Sequence, residues 1–106
     1  MDEKKKQAIY KDISKKVKGV IEIKDPTDIF LSYNKKEELF TFKYKKDSIK
    51  FKTIKKLGDD KIPIITLVMG KEEYYMIVFK KITAVERTLM NLRKLYQDSQ
   101  TNKIYL

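Results

Sequence analysis

Residues 39–56 hold the densest chemistry in this chain. They read Leu39-Phe40-Thr41-Phe42-Lys43-Tyr44, then Lys45-Lys46-Asp47-Ser48, then Ile49-Lys50-Phe51-Lys52-Thr53-Ile54. Successive side chains of a strand point to opposite faces. Phe40, Phe42 and Tyr44 therefore share one face, and Thr41, Lys43 and Lys45 the other. On the partner strand Ile49 and Phe51 oppose Lys50 and Lys52. Paired in register, the two strands form a hairpin with an aromatic face and a face of four lysines. Lys35, Lys36, Lys46, Lys55 and Lys56 extend that cluster at the strand ends. Ammonium groups fixed on a sheet attract and neutralise a polyanion. The same pattern also keeps a solvent face wet and an edge soluble, and like charges directly opposite one another cost stability.

Aromatic residues supply the second half of this chemistry. Single-stranded nucleic acids are held by stacking bases on rings beside a basic groove. Tyr33, Tyr44, Tyr74 and Tyr75 adjoin basic stretches. Tyr33 and Tyr44 are the stacking candidates, because a hydroxyl stays wet while its ring is covered. Phe40, Phe42, Phe51 and Phe79 fall on alternating apolar faces and read as core.

Other chemistries are poorly supplied. The chain has no cysteine and no histidine, which removes thiolate and imidazole catalysis and the usual zinc ligand sets. The adjacent carboxylates Asp59-Asp60 follow Gly58 and read as a turn rather than a metal site. No Gly-rich phosphate loop and no helix-turn-helix spacing is present. The expectation is a binding protein, not an enzyme, with no cofactor and no metal.

Charge supports a polyanion partner. The net charge of +10 is uneven. The first nineteen residues and the stretch 35–56 carry the excess, residues 20–34 are acidic, and 57–81 balance. Apart from Arg87 and Arg93 every basic residue is lysine. With abundant Ile, Tyr and Phe, that composition also fits an AT-rich or small viral genome. There is no apolar run near the ~20 residues of a membrane span, and the basic N-terminus has no apolar segment behind it. The first helix has too few large apolar residues for interfacial burial. A cytoplasmic location, in a cell or an infected host, is expected, with no membrane role.

The elements that must position these residues can be read in order. At 106 residues, 42% of them hydrophobic, the chain has enough apolar material for one core and one domain. Residues 3–18 read as a basic helix with a narrow stripe of Ile9, Ile13 and Val17, capped by Asp2 and stopped by Gly19. Strands follow at 20–25, 29–33, 39–45, 49–55, 62–69 and 74–81, separated by turns such as Asp25-Pro26-Thr27-Asp28. Thr83-Ala84-Val85-Glu86 is a capping box that opens a packed helix over 83–98. Residues 99–106 read as a polar tail ending in Ile104-Tyr105-Leu106, either mobile or docked on a partner. The fold class is α+β: a twisted antiparallel sheet of five to six strands over 20–81, with an N-terminal basic helix and a C-terminal packing helix.

The strand at 62–69 is apolar on both faces and needs cover on both sides. The last helix could cover one face, and the first helix, a curled sheet or a second copy of the chain the other; a homodimer is expected, against a barrel-like curl that closes the core within one chain. The function expected is low-specificity binding of single-stranded DNA or RNA. Lys43, Lys45, Lys50 and Lys52, extended by Lys35, Lys36 and Lys46, would contact phosphates, while Tyr33 and Tyr44 would stack on bases. The alternative is an interaction module or inhibitor that docks on an acidic protein surface.

Overall fold

The computed structural model describes residues 3–56 and 62–104. The α+β class and the two terminal helices are present, with the strands arranged as two sheets rather than one. Helix α1 (Glu3–Ser14) leads into β1 (Gly19–Glu22). A 3-10 turn at Pro26–Asp28 then opens a meander of β2 (Ile29–Asn34), β3 (Leu39–Tyr44) and β4 (Asp47–Phe51). Strands β5 (Thr53–Lys56), β6 (Ile64–Met69) and β7 (Glu72–Val78) follow, then helix α2 (Ile82–Ile104). One sheet has the order β2-β3-β4 and the other β1-β7-β6-β5.

A single bend makes two sheets out of the expected one. The segment read as one strand over 49–55 turns at Lys52, whose backbone N–H donates to the Val68 carbonyl of β6 at 2.9 Å. Residues before Lys52 pair with β3, and residues after it pair with β6. The two sheets therefore fold over one another around a shared core. Phe42, Tyr44, Ile49 and Phe51 meet Ile21, Ile65, Leu67, Ile77 and Phe79 there, and α2 contributes Val85 and Leu92. This core closes within one chain, between two sheets rather than inside a barrel.

Strand β1 departs from the antiparallel pattern. It pairs parallel to β7, with Val20 opposite Met76 and Ile21 opposite Ile77. A parallel partner needs a long connection, and here nearly the whole domain lies between the two strands. The start of β1 shortens α1. Its last turn is given up at Ser14, and the Lys18 N–H pairs with the Tyr74 carbonyl at 2.9 Å instead of continuing the helix.

Both faces of β6 are covered within one chain. Ile65 and Leu67 face the main core, while Ile62 and Ile64, with Met76 and Val78 of β7, form a second cluster under Ile9, Tyr10, Ile13 and Val17. The narrow stripe of α1 is thus a lid on the outer side of the four-stranded sheet. The cover for which a homodimer was expected is supplied by α1. At the other end, α2 runs to Ile104 and absorbs most of the segment read as a tail, beginning one residue before Thr83. Asp2, the turn with Asp59-Asp60, Tyr105 and Leu106 lie outside the described residues.

Gly19 has a more specific role than a helix stop. A Cβ placed on it would lie 2.5 Å from the Tyr75 Cε2 atom, across the β1–β7 pair. Gly19→Ala should therefore destabilise the fold by roughly 1–3 kcal/mol, the usual cost of overpacking. The measurement is a urea midpoint that falls while the m-value holds. An unchanged midpoint would mean that the Tyr75 ring moves aside without cost.

Candidate nucleic-acid interface

The three-stranded sheet has one buried face and one open face, and strand pairing decides which residues share each. Phe42 opposes Leu31 and Ile49, and Tyr44 opposes Ile29. These residues, with Phe40 and Phe51, turn towards the core and α2. The alternate positions form the outer face in two rows: Phe30, Lys43 and Ser48, then Ser32, Thr41 and Lys50. The lysines come from adjacent strands, as expected, but they are staggered rather than opposed. Lys43 faces Ser48, and Lys50 faces Thr41. Stagger moderates the like-charge cost that a directly opposed pair would carry. Lys50 also lies 3.4 Å from Glu37, with both side chains about half exposed, so this pair is worth little in water.

Lys55 and Lys56 do not extend this face, because β5 carries them into the four-stranded sheet beside β6, and the other sequence-derived lysines occupy its ends. Lys45 and Lys46 form the two-residue turn between β3 and β4. Lys45 adopts a left-handed φ of 54°, which costs a non-glycine residue about 1–2 kcal/mol, and its ammonium lies 5.5 Å from the centre of the Tyr44 ring. Lys35 and Lys36 sit at the opposite end, in the β2–β3 loop, where the Asn34 side chain accepts a hydrogen bond from the Glu37 N–H at 3.0 Å. Lys52 stands at the bend between the sheets and lines a groove against α2 with Arg93, Phe51 and Tyr96. Five lysines thus lie on the open face or at its hairpin end and bend, and two more at the far loop. A six-residue strand sets the length of the face at roughly 20 Å.

The two tyrosines chosen for stacking are not on that face. Tyr44 is only 4% exposed, and its hydroxyl oxygen accepts hydrogen bonds from the Lys24 and Asp25 N–H groups at 2.9 and 3.3 Å. It pins the corner between β1 and β2 to the core and has no surface to offer a base. Tyr33 points the same way as Phe40, its cross-strand partner, with ring centres 4.6 Å apart. Tyr96 of α2 meets it edge-on at 5.6 Å. Burial, helped by Glu38 and Tyr96, pushes the Tyr33 phenol above its ordinary range. Tyr44 is thus held as a structural group, and Tyr33 lies partly buried on the face opposite the lysines.

An aromatic ring does lie among the lysines. Phe30 is 63% exposed, directly across from Lys43 on the outer face. It is the most exposed aromatic of the described residues, and nothing in the core needs it there. The alternation of Phe30 against Ile29, Leu31 and Tyr33 carried the signal. Once Tyr33 pairs with Phe40, Phe30 falls on the lysine side.

Among the described residues, no group of three or more carboxylates converges to hold a metal ion. No described helix is long and apolar enough to cross a membrane. Comparison with protein families, with curated proteins and with solved structures gives no match to this chain.

Proposed function

We propose that this protein binds single-stranded nucleic acid, without catalysis and with little sequence preference, on the outer face of its three-stranded sheet. The observation that carries the reading is Phe30, exposed on a flat sheet face beside Lys43 and within a field of lysines from β3, β4 and their turn. An exposed ring gives a base a stacking surface, and every base has a π-face to use it. Lys43, Lys45, Lys46 and Lys50 would hold phosphates on either side. Ser32, Thr41 and Ser48 are short, so a strand could lie close to the sheet. Few groups on the face could read base edges, which favours general affinity over sequence choice.

Salt tests the electrostatic half of this reading. Each phosphate neutralised releases counterions, and four to six contacts to a single strand give a log–log slope of roughly −3 to −4. Replacing Lys43, Lys45, Lys46 and Lys50 with Gln should flatten that slope by about two to three units. The loss should be equal for oligonucleotides of different sequence, because phosphate contacts carry no base information. Binding by the quadruple variant as tight as that of the native chain would leave the lysines as a solvated face. Docking on an acidic protein surface would then take the lead.

A further inference from the structure

A second concentration of positive charge lies away from the sheet face, in a cavity of about 290 Å³ where the ends of β1 and β7 meet the start of α2. Lys24, Lys80, Lys81 and Arg87 line it, supplied by three separate segments of the chain. No acidic residue lines it among the described residues, and none of the four cations is ion-paired with a described carboxylate. Asp25, beside the cavity, feels the charge of Lys80 but forms no ion pair with it. Its Oδ1 accepts from the Thr27 N–H at 3.0 Å and the Thr27 hydroxyl at 2.7 Å. Four like charges around one cavity repel one another. A bound anion would offset that cost.

We propose that this cavity is a binding site for a phosphomonoester dianion. Charge and shape both select that class. A single carboxylate would leave most of the cluster uncompensated, whereas a phosphate dianion offers three acceptor oxygens and two charges. Arg87 adds the planar fork that pairs with phosphate through two parallel hydrogen bonds. The cavity also exceeds one phosphate group, and its floor is apolar, formed by Ile23, Phe79, Pro26 and Ala84. The extra room suits the organic body that carries the ester. Two sources share this chemistry: a small phosphorylated metabolite, and the phosphorylated 5′ end of a nucleic-acid strand. The proposal does not depend on the sheet face, since none of the residues named in the cavity belongs to it.

The experiment titrates the intact protein with inorganic phosphate and with adenosine 5′-monophosphate at constant ionic strength, following thermal stability and backbone amide NMR shifts. Specific binding should saturate, and at tenfold excess over Kd the melting temperature should rise by roughly 5–10 °C. The shifts should concentrate at Lys24 and at Lys81–Ala84. Lys81→Gln combined with Arg87→Gln should weaken binding at least tenfold, with the oligonucleotide salt slope of the sheet face unchanged. Tighter binding of a 5′-phosphorylated oligonucleotide than of its 5′-hydroxyl form, lost in the double variant, assigns the strand end. Equal binding of both oligonucleotides with saturable binding of the monophosphate assigns the metabolite. A rise that does not saturate, or that persists in the double variant, is a general salt effect and overturns the proposal. So do shifts scattered over all lysine-rich surfaces of the native chain, a readout that does not require the variant to fold.

Discussion

Phe30→Ala should lower the affinity for a labelled single-stranded oligonucleotide by about 1–3 kcal/mol, the usual worth of one base–aromatic stack, or roughly 5- to 150-fold. The salt slope should stay where it was, because no phosphate contact is removed. Folding should be unaffected or slightly improved, since the ring lies 63% exposed on the outer face. Phe30→Trp or Phe30→Tyr should restore binding, while Phe30→Leu, which keeps the apolar surface without the π-face, should not. That contrast separates stacking from apolar docking. If Leu binds as well as Phe, the ring serves as an anchor for an acidic protein surface rather than a platform for a base. If Ala binds as well as Phe, bases are held elsewhere and the outer face offers only charge.

This prediction pairs with the lysine substitutions because the two act on different parts of the same ligand. Phosphate contacts set the salt dependence and bases set the stacking energy, so the two losses should add when Phe30→Ala is combined with Lys50→Gln, on the next row. They should add less well with Lys43→Gln, because Phe30 and Lys43 face each other across β2 and β3. Neighbours that share a ligand group couple, and a double-mutant cycle measures the coupling directly.

Much of this architecture was legible in the sequence, and the parts that were not share one cause. Alternation within a strand is a local property, so the faces of β3 and β4 could be assigned from their own residues. Phe42, Ile49 and Phe51 are buried, and Lys43 and Lys50 are outside, as their spacing required. Relations between strands are not local. Nothing within 49–55 announces that the chain turns at Lys52, because the turn is made by a bond from its N–H to Val68, sixteen residues on. The parallel pairing of β1 with β7 is likewise set by tertiary packing.

The exposure of Phe30 on the lysine face escapes a strand-by-strand reading for the same reason. Tyr33 and Tyr44 were attractive as side chains near lysines in the sequence. Nearness along a strand is misleading when alternate residues leave on opposite faces. Pairing β2 with β3 settles the matter: a row that carries Lys43 must carry Phe30, and a row that carries Phe40 must carry Tyr33. A hydroxyl on a ring is compatible with a wet position but does not require one. The Tyr44 hydroxyl is instead an acceptor for the main chain at the corner between β1 and β2.

That reassignment has a sharp consequence for Tyr44→Phe. A stacking residue keeps its ring in this variant, so the change should be silent if Tyr44 met bases. As an acceptor for two backbone N–H groups, Tyr44 cannot lose its hydroxyl without cost. The hydrogen bonds from Lys24 and Asp25 are partly buried. Leaving such donors unsatisfied costs about 1–3 kcal/mol. For a domain with a urea m-value of roughly 1–3 kcal/mol/M, the midpoint should fall by about 1 M. Oligonucleotide affinity measured well below the melting temperature should stay within twofold of the native value. Tyr44→Ala goes further, because it also opens a cavity between the two sheets, and removal of a buried aromatic side chain costs roughly 3–5 kcal/mol. A Tyr44→Phe protein with native stability would place the hydroxyl outside the hydrogen-bonded corner. A Tyr44→Phe protein of lowered stability but native affinity assigns Tyr44 to the scaffold and leaves Phe30 as the ring that meets the ligand.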